Sequence, residues 1–124
     1  MSEINSYRDL KIWQTAMDIA VGCYEATRDF PKSETYGMAS QIRRASVSVP
    51  ANIAEGHGRD STGNFVTFLE VAQGSLKELE THLLLTIRVG LAEERLVQPL
   101  LQQCDVLGRM LRAYIRSIQR SVED

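Results

Sequence analysis

The sequence predicts an all-α protein, an antiparallel up-down-up-down four-helix bundle, and three observations carry this. Apolar residues recur at spacings of three and four through four segments, β-like alternation of useful length is missing, and the connections between segments are short. The 124 residues fit one domain, 1–124, with a single core that removes roughly two-thirds of the unfolded surface from water. No repeat of solenoid period is visible.

In the first segment Leu10, Trp13, Met17, Ala20, Tyr24 and Thr27 form one stripe. Asp9 is placed to cap it, and Phe30-Pro31 ends it, because the residue before a proline is driven out of the helical region. The second helix is expected over Thr35 to Gly56, with Met38, Ile42, Ala45, Val49 and Ile53 inward and a kink at Pro50. The turn formers Gly56 to Ser61 follow, with His57 among them. Ser61 can cap the third helix, with Asn64 where a capping box would prefer Glu or Gln.

The third helix has the clearest pattern. Phe65, Leu69, Ala72, Leu76, Leu79 and Leu83 alternate steps of four and three, the seam of helices that cross at a shallow angle, and it ends near Gly90. The fourth places Val97, Leu100, Leu101, Cys104, Leu107, Leu111, Tyr114, Ile115 and Ile118 on one stripe. It begins either near Gln98, with Pro99 in the first turn, or near Glu93, with a bend at Pro99.

A formal net charge of −2, from 14 Lys and Arg against 16 Asp and Glu, excludes a globally basic nucleic-acid coat. Phosphate recognition must then come from local clustering. Cys23 and Cys104 are the only cysteines, far apart and without CxxC spacing, and read as buried small hydrophobes. The first residues lack a basic start and apolar stretch, and the richest apolar run, Leu83 to Ala92, is short and broken by Arg88. The expected location is the cytoplasm, without membrane contact.

Several ordered blocks carry a likeness that covers most of the chain. They are Tyr7-Arg8-Asp9-Leu10-Lys11-Ile12-Trp13, Phe30-Pro31, Glu34-x-Tyr36-Gly37, Gln41-Ile42-Arg43-Arg44-Ala45, Asn52-Ile53-Ala54-Glu55-Gly56, and Gly74-Ser75-Leu76-Lys77-Glu78-Leu79-Glu80-Thr81. Together they resemble a bacterial family of four-helix bundle proteins that includes proteins encoded in intervening sequences of large-subunit ribosomal RNA genes. The fold is also similar to that of the accessory protein of diversity-generating retroelements, a strongly basic pentamer that binds a reverse transcriptase and nucleic acid. The resemblance implies a cytoplasmic homo-oligomer, with a pentamer favoured, and a connection to RNA or DNA. It implies no chemistry.

The residues give no catalytic, metal or cofactor site either. Di-iron bundles need paired Glu-x-x-His motifs, and the one Glu–His pair at helical spacing, Glu78 and His82, reads better as a surface or interhelical hydrogen bond. His57 reads as loop punctuation. A phosphate loop, a nucleophile elbow and a dinucleotide fingerprint are all missing. The expectation is a protein that is not an enzyme.

Three polar or charged patterns ask for another explanation. Gln41, Ser48, Asn52 and Glu55 share a stripe beside the core of the second helix, and Ser75, Glu78 and His82 flank the third. Solvated surface and an interhelical hydrogen-bond network are equally good readings, with ligand binding behind them. Tyr36, Val47, Ala51 and Ala54 form a second weakly polar face, read as a subunit interface, since a helix apolar on two sides should be covered twice. Arg43 and Arg44 adjoin it and suit a rim carboxylate or a phosphate alike. Arg109, Arg112, Arg116 and Arg120 line one surface of the fourth helix about 145° from its apolar centre, in a stretch, Val106 to Val122, without acids. That stripe faces solvent, nucleic acid or an acidic protein. Two functions therefore compete: a homo-oligomer associated with RNA or DNA, and an oligomeric scaffold for a protein partner.

Overall fold

The computed structural model describes residues 6–123, all helix and connection, and among them there is no strand. Four helices follow in order: α1 (Lys11–Thr27), α2 (Met38–His57), α3 (Thr62–Arg88) and α4 (Glu94–Glu123). Sequential helices pack together and α4 closes back onto α1, while the diagonal pairs do not approach. This is the up-down-up-down bundle, and α2 against α3 is its most extensive seam.

The core follows most of the third and fourth stripes, with Phe65, Leu101, Tyr114 and Ile118 only half-buried against it. Leu69, Ala72, Leu76, Leu79 and Leu83 of α3 meet Val97, Leu100, Cys104, Leu107 and Leu111 of α4, all buried. Each fully buried leucine contributes about 1.5–3 kcal/mol relative to an exposed one. Ile42, Ala45, Val49 and Ile53 complete the α2 side as expected.

The inward face of α1 differs from the expectation. Ile12, Ala16, Ile19, Ala20, Cys23 and Thr27 are buried, whereas Met17 and Tyr24 are half in water. α1 is apolar around much of its circumference, so spacing alone allowed two stripes. Asp9 is not its cap. It ends a short 3-10 turn, Tyr7–Asp9, capped by Ser6, whose hydroxyl accepts from the Arg8 N–H at 3.1 Å. The residue that precedes α1 is then Leu10, which offers no side-chain acceptor.

α2 begins three residues later than expected. A second 3-10 turn, Lys32–Glu34, occupies the approach, and the Glu34 carboxylate accepts from the Met38 N–H at 2.9 Å. Gly37 permits this, since a Cβ there would lie 2.7 Å from the carboxylate oxygen. Tyr36 therefore stands before the helix and not on it. The other end of α2 reaches His57, so Gly56 and His57 are helical and not part of the turn.

Ser61 caps α3 as expected, accepting from the Asn64 N–H at 3.0 Å. Gly90, at φ +78°, closes its far end: the Leu91 N–H donates to Thr86 O and the Gly90 N–H to Ile87 O. α4 starts at Glu94 with Pro99 inside it, and α2 runs through Pro50. Each proline lacks one helical donor, and both helices run on through it.

Candidate nucleic-acid and assembly surfaces

The α4 arginines all lie on the exposed face, opposite Leu107 and Leu111. They are not equivalent. Arg109 is held by Asp105 in an ion pair at 2.9 Å, one helical turn back. Arg112 and Arg116 pair with no carboxylate among the described residues, and the exposed Arg120 continues their row. Steps of four residues advance them along the helix by about 6 Å each. The result is a ladder of three guanidinium groups.

Arg43 is half-buried between two helices. It leaves α2 toward α1, donates from Nε to the Thr27 hydroxyl at 2.9 Å and from a terminal nitrogen to Tyr24 O at 3.4 Å, and lies over the Tyr24 ring at 4.7 Å. Thr27 is buried, and its hydroxyl donates in turn to Cys23 O at 2.8 Å. Arg43 thus clamps α1 to α2. Its sequence neighbour Arg44 is exposed.

The second face of α2 turns out to be half of a larger surface. Val47 is 44% exposed, Ala51 is exposed and Ala54 half-buried, whereas Tyr36, 95% exposed, stands apart in the preceding turn. α1 supplies the other half. Met17, Ala20, Val21 and Tyr24 meet Val47 and Pro50 along an open apolar groove of about 490 Å³, with Val21 53% exposed. Sequence reading assigned Met17 and Tyr24 to the core and so missed that side. Val21, one turn from Met17, was the available signal.

The two polar stripes share the α2–α3 seam, but only some members meet. The Ser48 and Ser75 hydroxyls hydrogen-bond across it at 2.8 Å, and Asn52 Nδ2 donates to Ser48 O at 2.8 Å and Ser48 Oγ at 3.0 Å. Gln41 is exposed. Glu55 turns to an ion pair with Arg59 at 2.8 Å, and Glu78 approaches His82 only to 3.8 Å. The network is a three-residue cluster, and the expected Glu78–His82 hydrogen bond is not formed: His82 Nε2 is buried without a partner.

Among the described residues no His, Cys, Asp and Glu group could hold a metal ion. Burial pushes both thiols, Cys23 and Cys104, up to about 12, which suppresses thiolate chemistry near neutral pH. His57 packs edge-on against Phe65 at 5.7 Å, and Phe65 in turn against Tyr114 at 5.9 Å. Among the described residues no helix is long and apolar enough to cross a membrane.

Comparison with known proteins agrees with this picture at the level of fold. A solved structure, a protein with unknown function from the S23 ribosomal protein family of Bacteroides thetaiotaomicron VPI-5482, superposes with a TM-score of 0.75 at 22% identity, covering 84% of this chain and 97% of that one. No curated protein matches. Residues 8–113, from the 3-10 turn before α1 to the middle of α4, match the 23S rRNA-intervening sequence protein family, and the chain belongs to that family.

Proposed function

We propose that this chain is a non-enzymatic homo-oligomer that associates with RNA or DNA through α4. The observation that carries this is the ladder of Arg112, Arg116 and Arg120, three exposed guanidinium groups on one helix face of a chain that is acidic as a whole. Like charges so arranged repel one another, and a polyanion relieves that repulsion while releasing its own counterions. Sequence preference should be weak, because neither a stacking platform nor a base-reading element accompanies the arginines.

Self-association is supported by the α1–α2 groove, whose exposed Val21, Tyr24 and Val47 form one apolar patch. The family likeness favours a ring of five. A ring would present several ladders to one strand, and effective concentration would lift the weak affinity of a single ladder by orders of magnitude.

The test is binding of generic single-stranded RNA and DNA across a salt series, with light scattering in parallel. Wild-type affinity should fall steeply with salt. Changing Arg112 and Arg116 to Glu should abolish binding while leaving the oligomer whole, and changing Val21 and Val47 to Glu should shift mass to monomer. Absence of binding at low salt would establish the ladder as a solvated face and leave the protein-scaffold reading standing. A wild-type monomer at micromolar concentration would remove the assembly.

A further inference from the structure

The end of the bundle opposite the arginine ladder carries an open bowl of about 790 Å³. It forms where α1 ends and α3 passes into α4. Ile42, Leu83, Val97 and Leu100 make its floor, and Phe30 and Leu91 rise at its walls. The left-handed turn at Gly90 is what brings Leu91 and Ala92 round to close one side. Four carboxylates, Glu25, Asp29, Glu93 and Glu94, line the same opening. Glu93 pairs with Arg95 at 3.0 Å, and the other three are exposed and pair with no cation among the described residues.

An apolar floor under an acidic mouth selects its occupant by charge and shape together. The mouth repels nucleic acid, so the bowl is no extension of the ladder, from which it is separated by about 27 Å along α4 between Glu94 and Arg112. A second copy of the chain is the rival occupant, since its exposed Leu84 and Leu85 lie within one turn of Arg88, and the oligomeric state of the charge-reversed protein separates the two.

We propose that this bowl docks a segment of another protein, one with a bulky apolar side chain flanked by Lys or Arg. The apolar anchor fills the floor and leaves water, and the flanking cations meet Glu25, Asp29 and Glu94 at the mouth, where they set orientation and reject acidic segments. A chain that holds nucleic acid at one end of the bundle and a basic protein segment at the other would act as an adaptor. The two surfaces are separable: loss of either leaves the other in place.

The experiment uses the full chain and two fluorescein-labelled ten-residue peptides. One has a central Leu-Trp-Leu flanked by lysines, and the other carries glutamates in place of the lysines. The lysine peptide should bind saturably and shift backbone amide signals of Leu91, Ala92 and Val97 in the wild-type protein, whereas the glutamate peptide should bind about ten-fold more weakly or worse. Reversing Glu25, Asp29 and Glu94 to Lys should cost about ten-fold. Filling the bowl with Ala26→Trp, or with Ala92→Trp should the first variant fold poorly by circular dichroism, should do the same with every carboxylate retained. Arg112→Glu with Arg116→Glu should leave peptide binding unchanged. Equal binding of the two peptides, amide shifts confined to other surfaces, or insensitivity to both the reversal and the filling would overturn the proposal. So would conversion of the oligomer to monomer by the triple reversal, which would make the bowl a contact between copies.

Discussion

Two glycines inside the helices should respond to the same substitution with opposite sign. Gly56 is buried near the end of α2, where a Cβ would stand 2.6 Å from the Phe68 Cβ, 3.1 Å from Phe65 Cδ1 and 3.4 Å from Phe65 O. The first of these atoms sits on the α3 backbone and cannot rotate away. Relief requires α2 and α3 to part by about 1 Å to restore ordinary carbon contact. Overpacking of this kind costs about 1–3 kcal/mol, and the gain in helix propensity, at most about 1 kcal/mol in a helix interior, is smaller so close to the terminus. Gly56→Ala should therefore destabilise by about 1–2 kcal/mol. Gly74 lies in the middle of α3, exposed, with nothing within 4 Å of an added Cβ. Gly74→Ala keeps the propensity gain alone and should stabilise by about 0.5–1 kcal/mol. Thermal and urea unfolding at one fixed protein concentration should separate the two variants by several degrees. If Gly56→Ala melts at or above the wild type, the close α2–α3 approach is not the constraint described.

Three further outcomes follow from contacts inside the bundle. The Ser48–Ser75 bond should appear in a double-mutant cycle with Ala as a coupling of about 0.5–1.5 kcal/mol, and additive single effects would show that the two hydroxyls act independently. Arg43→Ala should lower stability by about 1–2 kcal/mol, through the lost Thr27 and Tyr24 contacts, with little change in RNA binding; Lys should rescue it poorly for want of a planar fork. Loss of RNA binding without loss of stability would return Arg43 to the phosphate surface. Cys23 and Cys104 should resist alkylation at pH 8 until the protein unfolds. Their pKa values are raised in the folded state, so the stability linked to them is complete below their ordinary value near 9 and is lost as pH climbs toward about 12. A double Cys→Ala variant should show less alkaline loss than the wild type in denaturation across that window.

Much of the bundle is present in the one-dimensional pattern. The steps of four and three from Leu69 to Leu83, and the α4 stripe from Val97 to Ile115, each leave one angular solution for what faces inward, and the bundle adopts it. Ser61 and Gly90 act locally and could be placed for the same reason. The arginine ladder, too, follows from spacing within a single helix. What lies across from a given angle does not. α1 is apolar on adjoining sides, so its inward stripe was settled only when α2 and α4 took their places, which left Met17, Val21 and Tyr24 in a groove with Val47. Arg43 and Arg44 are neighbours of one type, and contact with Thr27, sixteen residues away, is what separates the clamp from the exposed side chain. The bowl draws on α1, α2, α3 and α4 at once, and its carboxylates come from two distant stretches of chain. Periodicity assigns each residue an angle around its own helix; packing alone decides which neighbour, or which opening, that angle meets.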